Sequence, residues 1–87
     1  MATRESVDEC IHHCQDVINI AQDQYKEASL QEHINDEGYT ESQLKLEQAY
    51  IELEKLKDSA NAQQKEDLDR VRVQLQEMQN KMILLRH

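Results

Sequence analysis

Proline is absent from this chain and glycine occurs once, at Gly38, while apolar residues repeat at helical spacing on both sides of that glycine. A chain with almost no backbone breakers cannot be built from tight turns and short strands. The 3.6-residue period of its apolar positions is that of amphipathic helices. The expectation is an all-α fold, a three-helix antiparallel bundle with coiled-coil-like seams and helices over about 6–35, 41–58 and 62–86. One helical domain spanning 1–87 accommodates all three, and that length leaves no room for a separate catalytic unit.

The first stripe is Val7, Ile11, Cys14, Ile18, Ala21, Tyr25 and Ala28, in alternating steps of four and three residues,. Cys10 and Val17 widen one edge of it. Ser6 followed by Glu9 reads as a capping box opening the helix. Past Ala28 the register fails, because Leu30 and Ile34 point to the opposite face. Gly38 is then expected just beyond the helix C-terminus, in the left-handed conformation that glycine tolerates best. In that frame Tyr39 touches Ile34, Thr40-Glu41-Ser42-Gln43 forms a second capping box, and Tyr39 staples to Leu44.

The second seam is Leu46, Ala49, Leu53, Leu56 and Ala60, flanked by Tyr50, with Leu44 and Ile51 on another face. The third is Leu68, Val71, Leu75, Met78, Met82 and Leu85. It is offset by one residue from the second, and the offset falls where Ser59 and Asn61 are good N-caps and Asn61 is followed by Gln64 in box spacing. A turn there gives three helices that cover one another. The alternative is a two-helix hairpin in which residues 41–86 form one helix with a register skip. That helix would be about 69 Å long and would outreach the first, so the hairpin requires dimerisation.

Net charge is −8, concentrated in residues 1–58, which carry −9 against +1 for residues 59–87. An acidic surface without a basic stripe disfavours nucleic acid. No apolar run approaches the length that spans a bilayer, and no apolar export segment opens the chain. Two cysteines outside any disulfide framework fit a reducing interior, so the expected location is cytoplasmic.

Chemistry is sparse. Cys10, His13 and Cys14 fall on neighbouring positions of one helical side, and thiolate with imidazole is zinc chemistry. Against this, Cys14 lies in the seam as a small hydrophobe, and a tetrahedral site needs ligands from a second element. An i,i+4 pair on an intact helix is also poorly aimed for a disulfide. The segment around Gly38 has the outline of a calcium loop, but His33 occupies the first ligand position and Leu44 the place of the bidentate glutamate. Carboxylates such as Glu47, Glu52, Glu54, Glu66, Asp67 and Asp69 belong to solvated faces, and Glu41–Lys45 and Glu77–Lys81 are i,i+4 ion pairs. No convergent set of titratable groups suggests an enzyme, a cofactor or a small-molecule substrate.

The start Met-Ala-Thr-Arg-x-Ser-Val-Asp-Glu, Lys26-Glu27-Ala28-Ser29 with Gln31-Glu32-His33, Gln74-Leu75-Gln76 and Met82-Ile83-Leu84 together resemble the YtzC-like family, short proteins of Bacillus-type bacteria. The resemblance spans essentially the whole chain. It implies a bacterial, cytosolic, stand-alone domain and carries over no activity or binding residue. The functional expectation is therefore a non-enzymatic helical module that self-associates or docks a protein partner through surplus apolar residues, Leu30, Ile34 and Ile51. A metal- or redox-responsive protein using Cys10, His13 and Cys14 is the alternative. A secreted helical hairpin of the WXG type ranks last, because Glu37-Gly38-Tyr39 replaces the tryptophan of its turn.

Overall fold

A computed structural model of the protein describes residues 2–30 and 36–85. Three helices, α1 (Arg4–Leu30), α2 (Asp36–Asp58) and α3 (Ala62–Leu85), pack against one another in every pairing. The bundle measures 47 × 18 × 15 Å. Its long axis fits helices of about 35–41 Å lying side by side at 1.5 Å per residue,. No strand occurs among the described residues. The break between Asp58 and Ala62 excludes a single helix over 41–86, and the three-helix architecture stands.

Polar contacts at both ends fix the up-down-up order. The Ala2 amide donates to the Ser59 carbonyl (2.9 Å) and Gln64 Nε2 donates to the Ala2 carbonyl (3.3 Å), which ties the start of α1 to the α2–α3 turn. At the other end, the Tyr39 hydroxyl donates to the Met82 carbonyl, joining the first turn of α2 to the last turn of α3. The second turn is built as its sequence suggests. Asn61 Oδ1 accepts from the Gln64 amide (2.8 Å) and Gln64 Oε1 accepts from the Asn61 amide (2.9 Å), a reciprocal cap that satisfies two free N–H groups,.

The expected seams supply the core. Val7, Cys14, Val17, Ile18 and Ala21 of α1, Leu46, Ala49 and Leu53 of α2, and Leu68, Val71, Leu75, Met78 and Met82 of α3 are buried in one cluster. Ile11, Tyr25, Ala28, Leu56, Ala60 and Leu85 are partly buried against it. A ladder of polar side chains runs beside the core between α2 and α3. Lys57 Nζ lies 2.6 Å from Asp69 Oδ1, Arg72 Nε lies 3.3 Å from Asp69 and 3.9 Å from Glu54, and Gln76 links Arg72 to the Tyr50 hydroxyl. The Lys57 ammonium, with Arg72, holds the Asp69 carboxyl below its ordinary value, and Asp69 in turn raises Arg72. These groups are solvent-accessible, so the ladder sets register between the helices more than it stabilises them. Glu41 and Lys45 pair at 3.4 Å as expected. Glu77 and Lys81 form no ion pair among the described residues and instead line a groove between α1 and α3.

Three local expectations are corrected. The first helix begins at Arg4 and not Ser6, and its cap is Thr3: Thr3 Oγ1 accepts from the Ser6 amide and Ser6 Oγ accepts from the Thr3 amide, both at 3.0 Å. Ser6 is thus the third helical residue and answers the cap instead of forming it. The second helix begins at Asp36 and not at residue 41, so Gly38 lies inside its first turn, with no positive φ. Thr40 is interior to that helix and is not its N-cap. The staple also fails, since Tyr39 is fully buried while Leu44 is 54% exposed. The continuation of α1 to residue 35 and the contact of Tyr39 with Ile34 lie outside the described residues.

The physical reason for the longer α2 is its seam. Four residues before Leu46 stands Ser42, and three before that Tyr39, and both are buried. The heptad step therefore continues through the turn-like sequence, and packing against α3 outweighs the local preference of a glycine in the first turn. Gly38→Ala consequently tests the correction. In helical geometry alanine is expected to raise stability by about 0.5–1 kcal/mol, whereas a left-handed turn would make it destabilising. Urea unfolding of the two proteins reads the sign directly.

Candidate functional site

The sequence singles out one cluster, and the bundle divides it by depth. Cys14 sits on the core side of α1 with no exposed surface, and Cys10, one turn earlier, is partly exposed. His13 is exposed. The division follows from the seam: residue 14 is a core position, residue 10 flanks it, and residue 13 is further round the helix. Both thiols are free.

Between α1 and α2 an open groove of about 330 Å³ is lined by Ser6, Glu9, Cys10 and His13 of α1 and by Glu52 and Leu56 of α2. The glutamate from α2 is the member that sequence reading missed. Nothing along α1 announces it, because only the antiparallel packing places Glu52 opposite the cysteines. The Cys14 thiol hydrogen-bonds to the Cys10 sulfur and lowers the Cys10 thiol below its ordinary value, working against burial and the Glu52 carboxylate. Cys14 is pushed up, first by that same hydrogen bond and then by burial. The pair is therefore unequal: Cys10, at the surface, is the more readily ionised thiol and Cys14 is the buried one,. Among the described residues, no three His, Cys, Asp or Glu side chains come together to hold a metal ion. Cys10, His13 and Cys14 thus do not converge as a ligand set, because Cys14 faces the core while His13 faces solvent.

The docking candidates separate in the same way. Ile51 is 47% exposed near the middle of α2, Leu30 is 76% exposed at the C-terminal end of α1, and Ile34 lies outside the described residues. Ile51 is accompanied by Leu44, two helical turns earlier on the same outward face of α2,. Its sequence context assigns Leu44 to a staple, but with Tyr39 buried in the core Leu44 stays at the surface. The grooves along the bundle are open to solvent.

A family model described as a protein of unknown function (DUF2524) matches residues 1–84. The chain belongs to that family. The "Uncharacterized protein YtzC" of Bacillus subtilis (strain 168) is 51% identical to it over 84 residues, covering 97% of this chain and 93% of the relative. The resemblance read from the sequence is thereby established across the chain. No solved structure matches it. The family carries no enzymatic name, and no helix among the described residues is long and apolar enough to cross a membrane.

Proposed function

We propose that this chain is a non-enzymatic helical interaction module, a single cytoplasmic domain over 1–87, that docks a basic amphipathic helix of a partner protein on the outer face of α2. The observation that carries this reading is the pair Leu44 and Ile51, 54% and 47% exposed and seven residues apart on a helix whose opposite face is committed to the core. Helix-in-groove recognition uses apolar anchors at this kind of spacing. Among the residues three or four positions from either anchor, Glu41, Glu47 and Glu54 are acidic and Lys55 alone is basic. An acidic surround favours a basic partner in encounter and orientation. It disfavours a second copy of a chain that carries −8,.

A photo-crosslinking side chain at exposed Gln48, between the anchors, tests the face in living cells, with the same group at exposed Asn80 on α3 as the control. A discrete adduct is expected from position 48 alone, and it should disappear when Leu44→Glu and Ile51→Glu are combined. Equal labelling at both positions, or an adduct that survives the double substitution, rules the face out. Light scattering at high micromolar concentration separates the remaining case: a mass well above the 10.3 kDa monomer would make a second copy the occupant.

A further inference from the structure

We propose that Cys10 is a site of reversible mixed-disulfide formation with small cationic disulfides, which enter the groove between α1 and α2 and are selected there by Glu9 and Glu52. This is independent of the α2 docking face, whose anchors lie elsewhere.

Four features of the groove combine. Cys10 is partly exposed and lines the groove wall, where an incoming disulfide can approach it. Cys14 hydrogen-bonds to that sulfur from the core side and shifts Cys10 toward thiolate, the reactive form,. Glu9 from α1 and Glu52 from α2 place two carboxylates around the same opening, with His13 as the one group there that gains positive charge on protonation. An ammonium-bearing disulfide is attracted by such a mouth and an anionic one repelled. Finally, Cys14 is fully buried at i+4 on an intact helix, so Cys10 lacks a resolving partner with suitable geometry for an internal bridge,.

The step is a simple exchange. The Cys10 thiolate attacks one sulfur of the disulfide R–S–S–R, a new Cys10–S–S–R bond forms, and the original S–S bond breaks. The departing R–S⁻ carries away the electron pair and takes a proton from water. Cys10 and the retained half end as a mixed disulfide, and the released half is reduced to a thiol. A second thiol reverses the reaction by the same route, and Cys14 remains reduced throughout.

The test is intact-protein mass spectrometry on the reduced full chain, followed over time with cystamine (cationic), bis(2-hydroxyethyl) disulfide (neutral) and dithiodipropionate (anionic), each referred to its rate with a free small thiol. One adduct per chain is expected, mapped by proteolysis to Cys10 and absent from Cys10→Ser. Normalised rates should fall in the order cationic, neutral, anionic, with about fivefold or more between the extremes at low salt. Glu52→Gln, on an exposed side chain, should narrow that spread while circular dichroism stays unchanged. The proposal is overturned by an adduct on Cys14, by loss of two hydrogens without an adduct, by absence of reaction, or by equal normalised rates for the three reagents.

Discussion

Tyr39→Ala is expected to destabilise the bundle by about 3–5 kcal/mol, the range for removing a buried aromatic side chain. The ring is fully buried at the junction of α2 and α3, in the first turn of α2, where Gly38 supplies no side chain and Leu44 points outward. Its hydroxyl donates to the Met82 carbonyl in the last turn of α3, a buried hydrogen bond between the two helices. The alanine variant therefore loses packing and the hydrogen bond that ties α2 to α3. Chains of this size have total stabilities of roughly 4–13 kcal/mol, so a loss of that magnitude removes a large share of the folded population. Tyr39→Phe isolates the hydroxyl, and a cost of about 1 kcal/mol is expected because the ring remains while one buried interhelical hydrogen bond is lost,. Chemical denaturation of the three proteins checks both steps. If Tyr39 belonged to an exposed turn and stapled to Leu44, both variants would unfold close to wild type.

Tyr39 also shows where sequence reading loses its grip. Its neighbourhood holds the only glycine and a Thr-Glu-Ser-Gln stretch that matches a capping box. Every local signal there describes a turn. The seam nevertheless runs through it, by steps of four and three from Leu46 to Ser42 to Tyr39, and the polar Ser42 hides the continuation. What decides the case is burial against α3, a tertiary contact that no window of the sequence contains. The first cap failed for a related reason: Ser6-x-x-Glu9 fits the usual box, while the pair that forms, Thr3 with Ser6, uses a serine where glutamate or glutamine is the common partner.

Other parts of the fold were legible because local and tertiary preferences agree. The aliphatic stripe of α3 is unbroken from Leu68 to Leu85, and each of its members is buried or partly buried. The α2–α3 turn was marked twice, by a one-residue seam offset and by Asn61 with Gln64, and the two caps face each other as that spacing requires. The groove was half legible. Helical periodicity places Cys10, His13 and Cys14 near one another, and the seam shows that Cys14 must be buried. Glu52 enters only through the register of α2 against α1, which depends on where α2 begins, the very boundary that the sequence misplaced.

That register gives the second large effect. Leu75→Ala is expected to cost about 2–5 kcal/mol and to lower the melting temperature by on the order of 10–30 °C. Leu75 stands midway along the α3 seam and has no exposed surface, in a cluster to which all three helices contribute. Truncation removes apolar contacts and leaves a cavity. Residues at both ends of the bundle are tied by hydrogen bonds to neighbouring helices, so the middle has little freedom to collapse inward,. Val73, two positions away on the same helix, is the internal control. It is 44% exposed, and Val73→Ala should change stability by well under 1 kcal/mol,. Thermal melts of the two variants compare side chains on the same helix at nearly the same height, so burial is the dominant difference between them. Comparable losses from both substitutions would mean that α3 does not present its Leu68–Leu85 stripe to α1 and α2.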